Sequence, residues 1–390
     1  MITSRRCFLS TLFGPALAVR LHASATGAAP GKLVIAGGAI TSARPEVWSA
    51  MLASRLAGRP IGIISTASSD PASVGQPLAD SLNEEHGADT ARFIPLDAAL
   101  ANAGDKAILK SMEDCGGFYF TGGSQLLTTR CLLAEDGAAT PALGAIRVVH
   151  AAGGVIGGSS AGAAIMSHPM ISGGVSPSAL RRGATPAGSG RENQGVGYAP
   201  GLGFSPGILY CQHHVERGRF GRLLTALCSP EVGLKIGFGI SEDTALVVDH
   251  AAGVAEVIGA HEALLVDCRK AARGDDGAIS GAVIACLTRG DRARLDSLEV
   301  RPAPGKTPLG ETGGGEVHTL DKAWARAGLR TLLGDLARGG PGSSALARDE
   351  DLRIRFQRTA ASRAWQNPAV TDPEAPAWTI DGIQVEIRPG

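Results

Sequence analysis

Aromatic side chains are scarce in this chain, at 4% of 390 residues, and neither sign of charge is in excess, with 37 Lys and Arg against 37 Asp and Glu. The first shortage argues against an aromatic-rich binding surface. The second removes the net field that would gather nucleic acid or an anionic membrane, so neither is expected as a partner. Long apolar runs are also lacking: nothing beyond the N-terminal segment approaches the roughly 18 apolar residues of a membrane span. Seven cysteines stand at positions 7, 115, 131, 211, 228, 268 and 286 and form no CxxC pair. No metal site and no cofactor are expected on that evidence. Two things are plentiful, apolar residues at 44% and glycine at 54 residues. Together they suit an α/β protein with a substantial core and many tight strand-to-helix turns.

The N-terminus carries Ser4-Arg5-Arg6-Cys7-Phe8-Leu9, then a mostly apolar run from Leu12 to Val19, then the small-x-small tripeptide Ala23-Ser24-Ala25. This pattern reads as a twin-arginine export signal over residues 1–25, with the mature chain starting near Thr26 and working in the periplasm or outside the cell. Arg20 shortens the apolar region. Substrates of that route cross the membrane already folded, so the thiols meet a reducing compartment first and no disulfide framework is expected. A context such as Ala282-Val283-Ile284-Ala285-Cys286 marks a buried packing cysteine.

From about Lys32 to Asp249, short apolar runs alternate with amphipathic segments. Strands are expected at Leu33 to Ala36, Ile61 to Ser65, Arg92 to Leu96, Gly117 to Phe120, Val155 to Gly157 and Ile208 to Cys211. Val47, Trp48, Met51, Leu52 and Leu56 fall at helical spacing between the first two. A βαβ order implies a largely parallel sheet, and such sheets hold ligands at the carboxyl ends of their strands.

One such end is the run from Gly153 to Ala163, where Ser160 stands at the centre of a Gly-x-Ser-x-Gly elbow. Flanking glycines permit the sharp turn that presents a nucleophilic hydroxyl at a helix start, although the same pattern also serves simple tight turns and anion-binding loops. Phe118-Tyr-Phe120-Thr-Gly122-Gly123-Ser124-Gln125 has the same form. Backbone N–H groups of Gly123 and Ala161, from two neighbouring strand ends, would suit a tetrahedral oxyanion. Gln125 is either a surface residue or a substrate contact. Downstream, Gly207 to His214 ends a strand in two histidines, His213 and His214, only one of which can face the elbow as a general base. Ser241-Glu242-Asp243 supplies carboxylates to orient an imidazole.

These blocks resemble the cyanophycinases, serine peptidases of the group that includes dipeptidase E. That family has Gly-Gly-Asp-Gln, Gly-Thr-Ser-Ala-Gly-Ala, Asp-Gln-His-Phe followed by spaced arginines, and Gly-Ile-x-Glu-Asp-Thr-Ala. Here the matching blocks are Gly122-Gly-Ser-Gln125, Gly158-Ser-Ser-Ala-Gly-Ala163, Cys211-Gln-His-His214 with Arg217, Arg219 and Arg222, and Gly239-Ile-Ser-Glu-Asp-Thr-Ala245. The resemblance spans about residues 30 to 290. It implies an α/β three-layer sandwich with a mainly parallel sheet and a flavodoxin-like or class I glutamine-amidotransferase-like core. It further implies Ser160 as nucleophile, His213 as base and Glu242 as its orienting acid, with Gly123 and Ala161 forming the oxyanion hole. Gln125, Cys211, Gln212, Arg217, Arg219 and Arg222 would line the substrate site. The implied reaction is acyl transfer to serine and then to water, on peptides or polymers of the β-aspartyl-arginine class. Cys211 and His214 depart from the family's Asp and Phe, and a neutral thiol cannot pair with a guanidinium as a carboxylate does.

The order Ser160, His213, Glu242 argues against an ordinary α/β-hydrolase esterase, whose histidine follows its acid. An aspartyl dipeptidase, or an inactive protein that captures aspartyl peptides, remains as an alternative. The resemblance assigns residues 30–298 to the peptidase domain. Residues 299–318 read as a Pro/Gly-rich linker and 319–390 as a small C-terminal appendage that pads the core or helps the chain oligomerise, with a homodimer left open. In the appendage, Trp324, Leu329, Leu332, Leu333 and Leu336 form a helical stripe, Leu352, Ile354 and Phe356 alternate as in a strand, and Asp381-Gly382 signals a hairpin.

Overall fold

A computed structural model describes residues 29–40, 44–189, 194–309, 314–370 and 375–389. The export signal expected at residues 1–25 lies outside them. In the first half of the chain the apolar runs become strands and the amphipathic segments helices: β1 (Leu33–Ala36), α1 (Pro45–Ser54), β2 (Ile61–Ile64), α2 (Pro71–His86), β3 (Ala91–Phe93), α3 (Lys106–Glu113), β4 (Gly117–Phe120), α4 (Gln125–Leu132), α5 (Pro141–Ala151) and β5 (Val155–Ser159). Local chemistry starts several of these helices. Proline opens α1, α2 and α5, and the side chains of Asp70, Asp105 and Thr140 accept first-turn N–H groups.

The strands lie in the order β3-β2-β4-β5-β1, every neighbouring pair parallel. Side-chain alternation sorts the layers. Val34 and Ala36 of β1 pack with Val47, Trp48 and Met51 of α1 and Leu82 of α2. Leu33 and Ile35 point the other way, into a cluster with Met112 of α3 and Leu143 and Ile146 of α5.

After β5 come α6 (Ala161–Ala164), β6 (Met170–Gly173), α7 (Ser176–Arg182), β7 (Ala184–Pro186), β8 (Val196–Ala199), β9 (Ile208–Gln212), α8 (Phe220–Cys228), β10 (Ile236–Ile240), β11 (Thr244–Asp249), β12 (Val254–Gly259) and β13 (Ala263–Asp267). β11 and β12 extend the first sheet antiparallel beyond β1. β9 pairs in parallel with β10 in a second sheet, which continues antiparallel through β13, Ile279–Leu287, Trp378–Pro389 and Leu352–Gln366. Tyr210, Phe238 and Ile240 on its inner face join the cluster that holds Leu33 and Ile35. The result is the expected α/β sandwich, with a parallel core of five strands and a second sheet packed against it.

The C-terminal stretch is built into that second sheet. Its helix α9 (Gly328–Arg338) and its strands share one apolar cluster with Leu209 of β9 and Leu223 of α8, running on to Leu332, Ile354 and Ile387. Asp381-Gly382 forms no hairpin, because Trp378–Pro389 is a single strand. Gly382, at φ +76°, sits where the register against Leu352–Gln366 shifts between Arg358 and Arg363. Glycine tolerates positive φ in a bulge as readily as in a turn, so the dipeptide alone does not distinguish the two. The Pro/Gly-rich stretch is pinned by Lys306, whose wholly buried Nζ donates to Asp291 (2.6 Å), Thr288 (2.6 Å) and Thr379 (2.7 Å). Cys115, Cys131, Cys211, Cys228, Cys268 and Cys286 are all buried and free.

Candidate active site

The carboxyl ends of β1, β4 and β5 in the first sheet meet those of β9 and β10 in the second. Backbone hydrogen bonds sew the ends together: His213 N–H donates to Gly37 O (2.8 Å), Gly37 N–H to Thr244 O (2.9 Å), Asp243 N–H to Gly38 O (3.0 Å) and Ser160 N–H to Ala36 O (3.1 Å). Ser160 follows β5 directly at φ +56° and ψ −109°, a strained conformation for a residue with a side chain. Such strain is the mark of an elbow that holds its hydroxyl clear of the sheet. The helix behind it, α6, is a single turn.

Ser160 Oγ lies 2.7 Å from His213 Nε2, and His213 Nδ1 lies 2.7 Å from Glu242 Oε1. Between the two adjacent histidines, His213 therefore faces the elbow. His214 is fully buried beside Phe220, and among the described residues neither of its ring nitrogens has a hydrogen-bond partner. Of the two adjacent acids, Glu242 reaches the imidazole while Asp243 pairs with Arg44 at 2.6 Å. Ser159 is buried at the end of β5, within reach of the buried Tyr119.

Burial lowers the pKa of His213 below its ordinary value; the bond to Glu242 opposes this, and Arg217 and Arg219 reinforce it. His213 is thus neutral at pH 7, with one nitrogen free to accept a proton. Gly38, at φ +138°, is the residue that lets the ring sit there: a Cβ would fall 2.1 Å from His213 Cε1. The Gly122-Gly123 turn lies on the other side of the hydroxyl, and a Cβ on Gly122 would come 3.8 Å from Ser160 Oγ. Among the described residues, no backbone acceptor takes the N–H of Gly123 or of Ala161.

The remaining expected site residues divide. Gln125 Nε2 donates to the carbonyls of Ile171 (3.0 Å) and Ser172 (2.9 Å) and so fastens β6 beside the elbow. Arg219 is half-buried and donates to Gln212 O at 2.8 Å, while Arg217 is exposed. Burial, together with Arg222, pulls the Arg219 guanidinium down to about 10.

Two expectations need correction. Arg222 is 3% exposed and engaged by Cys211 Sγ (3.3 Å), Gly174 O (3.0 Å) and Gln212 Oε1 (3.3 Å). Cys211 is wholly buried in the cluster under α8. Neither lines an open surface. The reason is the face of β9: Cys211 points with Leu209 toward α8, all nine of whose residues are buried, Arg222 included. Gly38 was not singled out from the sequence, although β1 ends in Gly37-Gly38 just as β4 ends in Gly122-Gly123.

Comparison with known proteins now decides the family. No protein-family model matches the chain. It is 34% identical over 242 residues to a cyanophycinase of Geminocystis herdmanii, an alignment that covers 60% of this chain and 81% of the relative. A cyanophycinase of Trichormus variabilis is 32% identical over 253 residues, covering 62% of this chain and 78% of that one. The chain belongs to the cyanophycinase family. It is accordingly a hydrolase of the peptidase class. Among solved structures, a peptidase from an acI-B1 Actinobacterium superposes with a TM-score of 0.50 at 18% identity, over 68% of this chain and 97% of that one. That match is of fold, and it places the cyanophycinase-family core on a known peptidase architecture.

Proposed function

We propose that the protein is a serine-type exopeptidase acting on cyanophycin or related β-aspartyl peptides and releasing dipeptides through an acyl-enzyme. The observation that carries this reading is the unbroken chain from Ser160 Oγ through His213 to Glu242, with both links at 2.7 Å. Glu242 accepts the hydrogen bond from Nδ1–H and holds that tautomer, which leaves Nε2 as the acceptor for the serine proton during attack. The new Ser160 Oγ–carbon bond forms as the carbonyl π electrons move onto oxygen. The N–H groups of Gly123 and Ala161 receive that oxyanion. His213 then gives its proton to the departing amine, and water repeats the sequence to release the acid and free Ser160. Arg219 and Arg217, which act on His213, are the side chains that would meet charged or amide groups of an aspartyl peptide, while Gln212 is buried and holds Arg222. By the same proposal residues 1–25 export the folded chain, so that it meets polymer or soluble fragments outside the cytoplasm.

The test is mass spectrometry of the products after the mature protein is incubated with cyanophycin, β-aspartyl dipeptides and α-aspartyl dipeptides. Release of β-aspartyl-arginine from the polymer supports the reading. Cleavage of dipeptides alone makes the chain an aspartyl dipeptidase, and no cleavage of any of the three refutes the peptidase assignment.

A further inference from the structure

Arg330 stands on α9, beyond the stretch whose motifs carry the family resemblance, yet it belongs to an ionic cluster directly behind the acid of the triad. Its Nε and Nη2 hold both carboxylate oxygens of Glu262, at 2.7 and 3.0 Å, and Nη2 also donates to Glu216 Oε1 at 3.1 Å. All three side chains are largely enclosed, Glu262 completely. Both carboxylates then turn to the segment that bears Glu242. Ser241 Oγ donates to Glu262 Oε1 (2.8 Å), and the backbone N–H of Glu242 donates to Glu216 Oε2 (3.0 Å). Ser241 N–H adds a bond to the Glu262 carbonyl at 3.2 Å. The approach to α9 touches the other arm of the site as well. A Cβ on Gly218, five residues after His213, would fall 2.6 Å from the carbonyl oxygen of Trp324.

We propose that Arg330 is a positioning residue for the Ser160–His213–Glu242 chain, holding the Ser241-Glu242 segment in place through Glu216 and Glu262. This rests on the reading that the chain is catalytic. The C-terminal extension thereby completes the site. The physics is direct: Glu216 and Glu262 are two enclosed like charges that share one cation. Without it they repel and separate, and the charge-assisted acceptor for the Glu242 N–H is displaced. The charged groups acting on His213 are Glu242, Arg217 and Arg219, and Arg326 Nη2 lies 4.0 Å from Glu242 Oε2. Those acting on Glu262 and Arg330 also include His261 and Cys286. Removing the Arg330 charge leaves this surrounding more negative, which favours protonated imidazole and moves the acid limb of activity to higher pH.

The experiment compares wild type, Arg330→Gln and Arg330→Lys, with folding followed by thermal melting. For each, kcat and KM are measured across pH on whichever of the polymer or dipeptide substrates the wild type cleaves, together with the rate at which a fluorophosphonate labels Ser160. Arg330→Gln should lose about tenfold or more in kcat with KM changed less than about twofold, and its acid limb should move upward in both assays. Arg330→Lys keeps the charge without the two-carboxylate grip, so its limb should stay in place while kcat falls by less. Folded variants with wild-type kcat and limb would overturn the proposal, as would a loss of rate that merely follows the folded fraction with the limb unmoved. If the wild type cleaves neither the polymer nor any dipeptide, the peptidase reading fails, while labelling still reads Arg330: equal labelling profiles in wild type and Arg330→Gln would overturn it alone.

Discussion

Gly38→Ala should disable the site without dismantling the fold. The added Cβ would stand 2.1 Å from His213 Cε1, 2.5 Å from Nδ1 and 2.6 Å from Nε2. Carbon atoms settle at about 3.5 to 4 Å, so the ring must retreat by roughly 1.4 Å or more. The Ser160–His213 bond starts at 2.7 Å. A retreat of that size takes it past the roughly 3.5 Å at which a hydrogen bond ceases to count. A misplacement of about 1 Å costs on the order of 10²-fold, and full loss of a general base up to about 10⁴-fold. The expected fall in kcat/KM is thus about 10² to 10⁴, or roughly 3 to 5 kcal/mol of transition-state stabilisation. Backbone strain at φ +138° adds a loss of stability of about 1 to 3 kcal/mol. Gly58→Ala is the control, since Gly58 has φ +71° and nothing within 4 Å of a Cβ. It should lose about 1 to 2 kcal/mol of stability and no activity. Assays of both variants on a β-aspartyl dipeptide, with melting curves alongside, separate the effects. A well-folded Gly38→Ala protein within threefold of wild-type kcat/KM would refute the argument that this glycine makes room for the base.

Three further outcomes follow from buried polar groups. Burial first, then Arg222 and Arg219, push the His214 imidazole down to about 3. The unfolded chain therefore binds the proton first, and stability is lost as pH falls below about 6.5, by roughly 2 kcal/mol at pH 5. His214→Phe should flatten that decline, and melting curves that fall equally between pH 7 and 5 would contradict it. Cys211→Asp sets a carboxylate against Arg222, which is now held by a sulfur, a backbone carbonyl and an amide oxygen. The melting temperature should rise, and the kcat/KM ratio of β-aspartyl-arginine to a neutral β-aspartyl dipeptide should change by less than about tenfold. A larger gain would mean that the new charge reaches substrate. Lys306→Met strands Asp291 in the interior and should cost about 3 to 5 kcal/mol in denaturant unfolding, with Asp291→Leu in the same chain recovering part of it.

The elbow was legible because its determinants are local: glycines, an apolar strand and small residues lie within the run from Gly153 to Ala163. The same holds for β1, β2, β4 and β5 and for α1, where period and punctuation agree, whereas the strand expected at Arg92 to Leu96 forms earlier, at Ala91–Phe93. What the local pattern could not give was the partner of β9. Its pairing with β10 brings together Cys211 and Gly239, residues separated by the whole of α8, and such a choice is made by packing rather than by propensity. The burial of Arg222 had a signal that spacing between arginines concealed. Phe220-Gly-Arg-Leu-Leu-Thr-Ala-Leu-Cys228 has almost no polar face, so an arginine within it must go inside and find acceptors. Nothing local in the sequence joins Glu216, Glu262 and Arg330. Only the closing of α9 over the second sheet makes them a cluster.

The account stands most directly on which hydroxyl is acylated. The measurement is kcat/KM of folded Ser160→Ala and Ser159→Ala on a substrate that the wild type cleaves. Ser160→Ala should lose about 10³-fold or more, because among the described residues no other hydroxyl meets His213 Nε2. Ser159→Ala should stay near wild type, since Ser159 is buried within reach of Tyr119. Retained activity in Ser160→Ala, with loss in Ser159→Ala, would contradict the site as described.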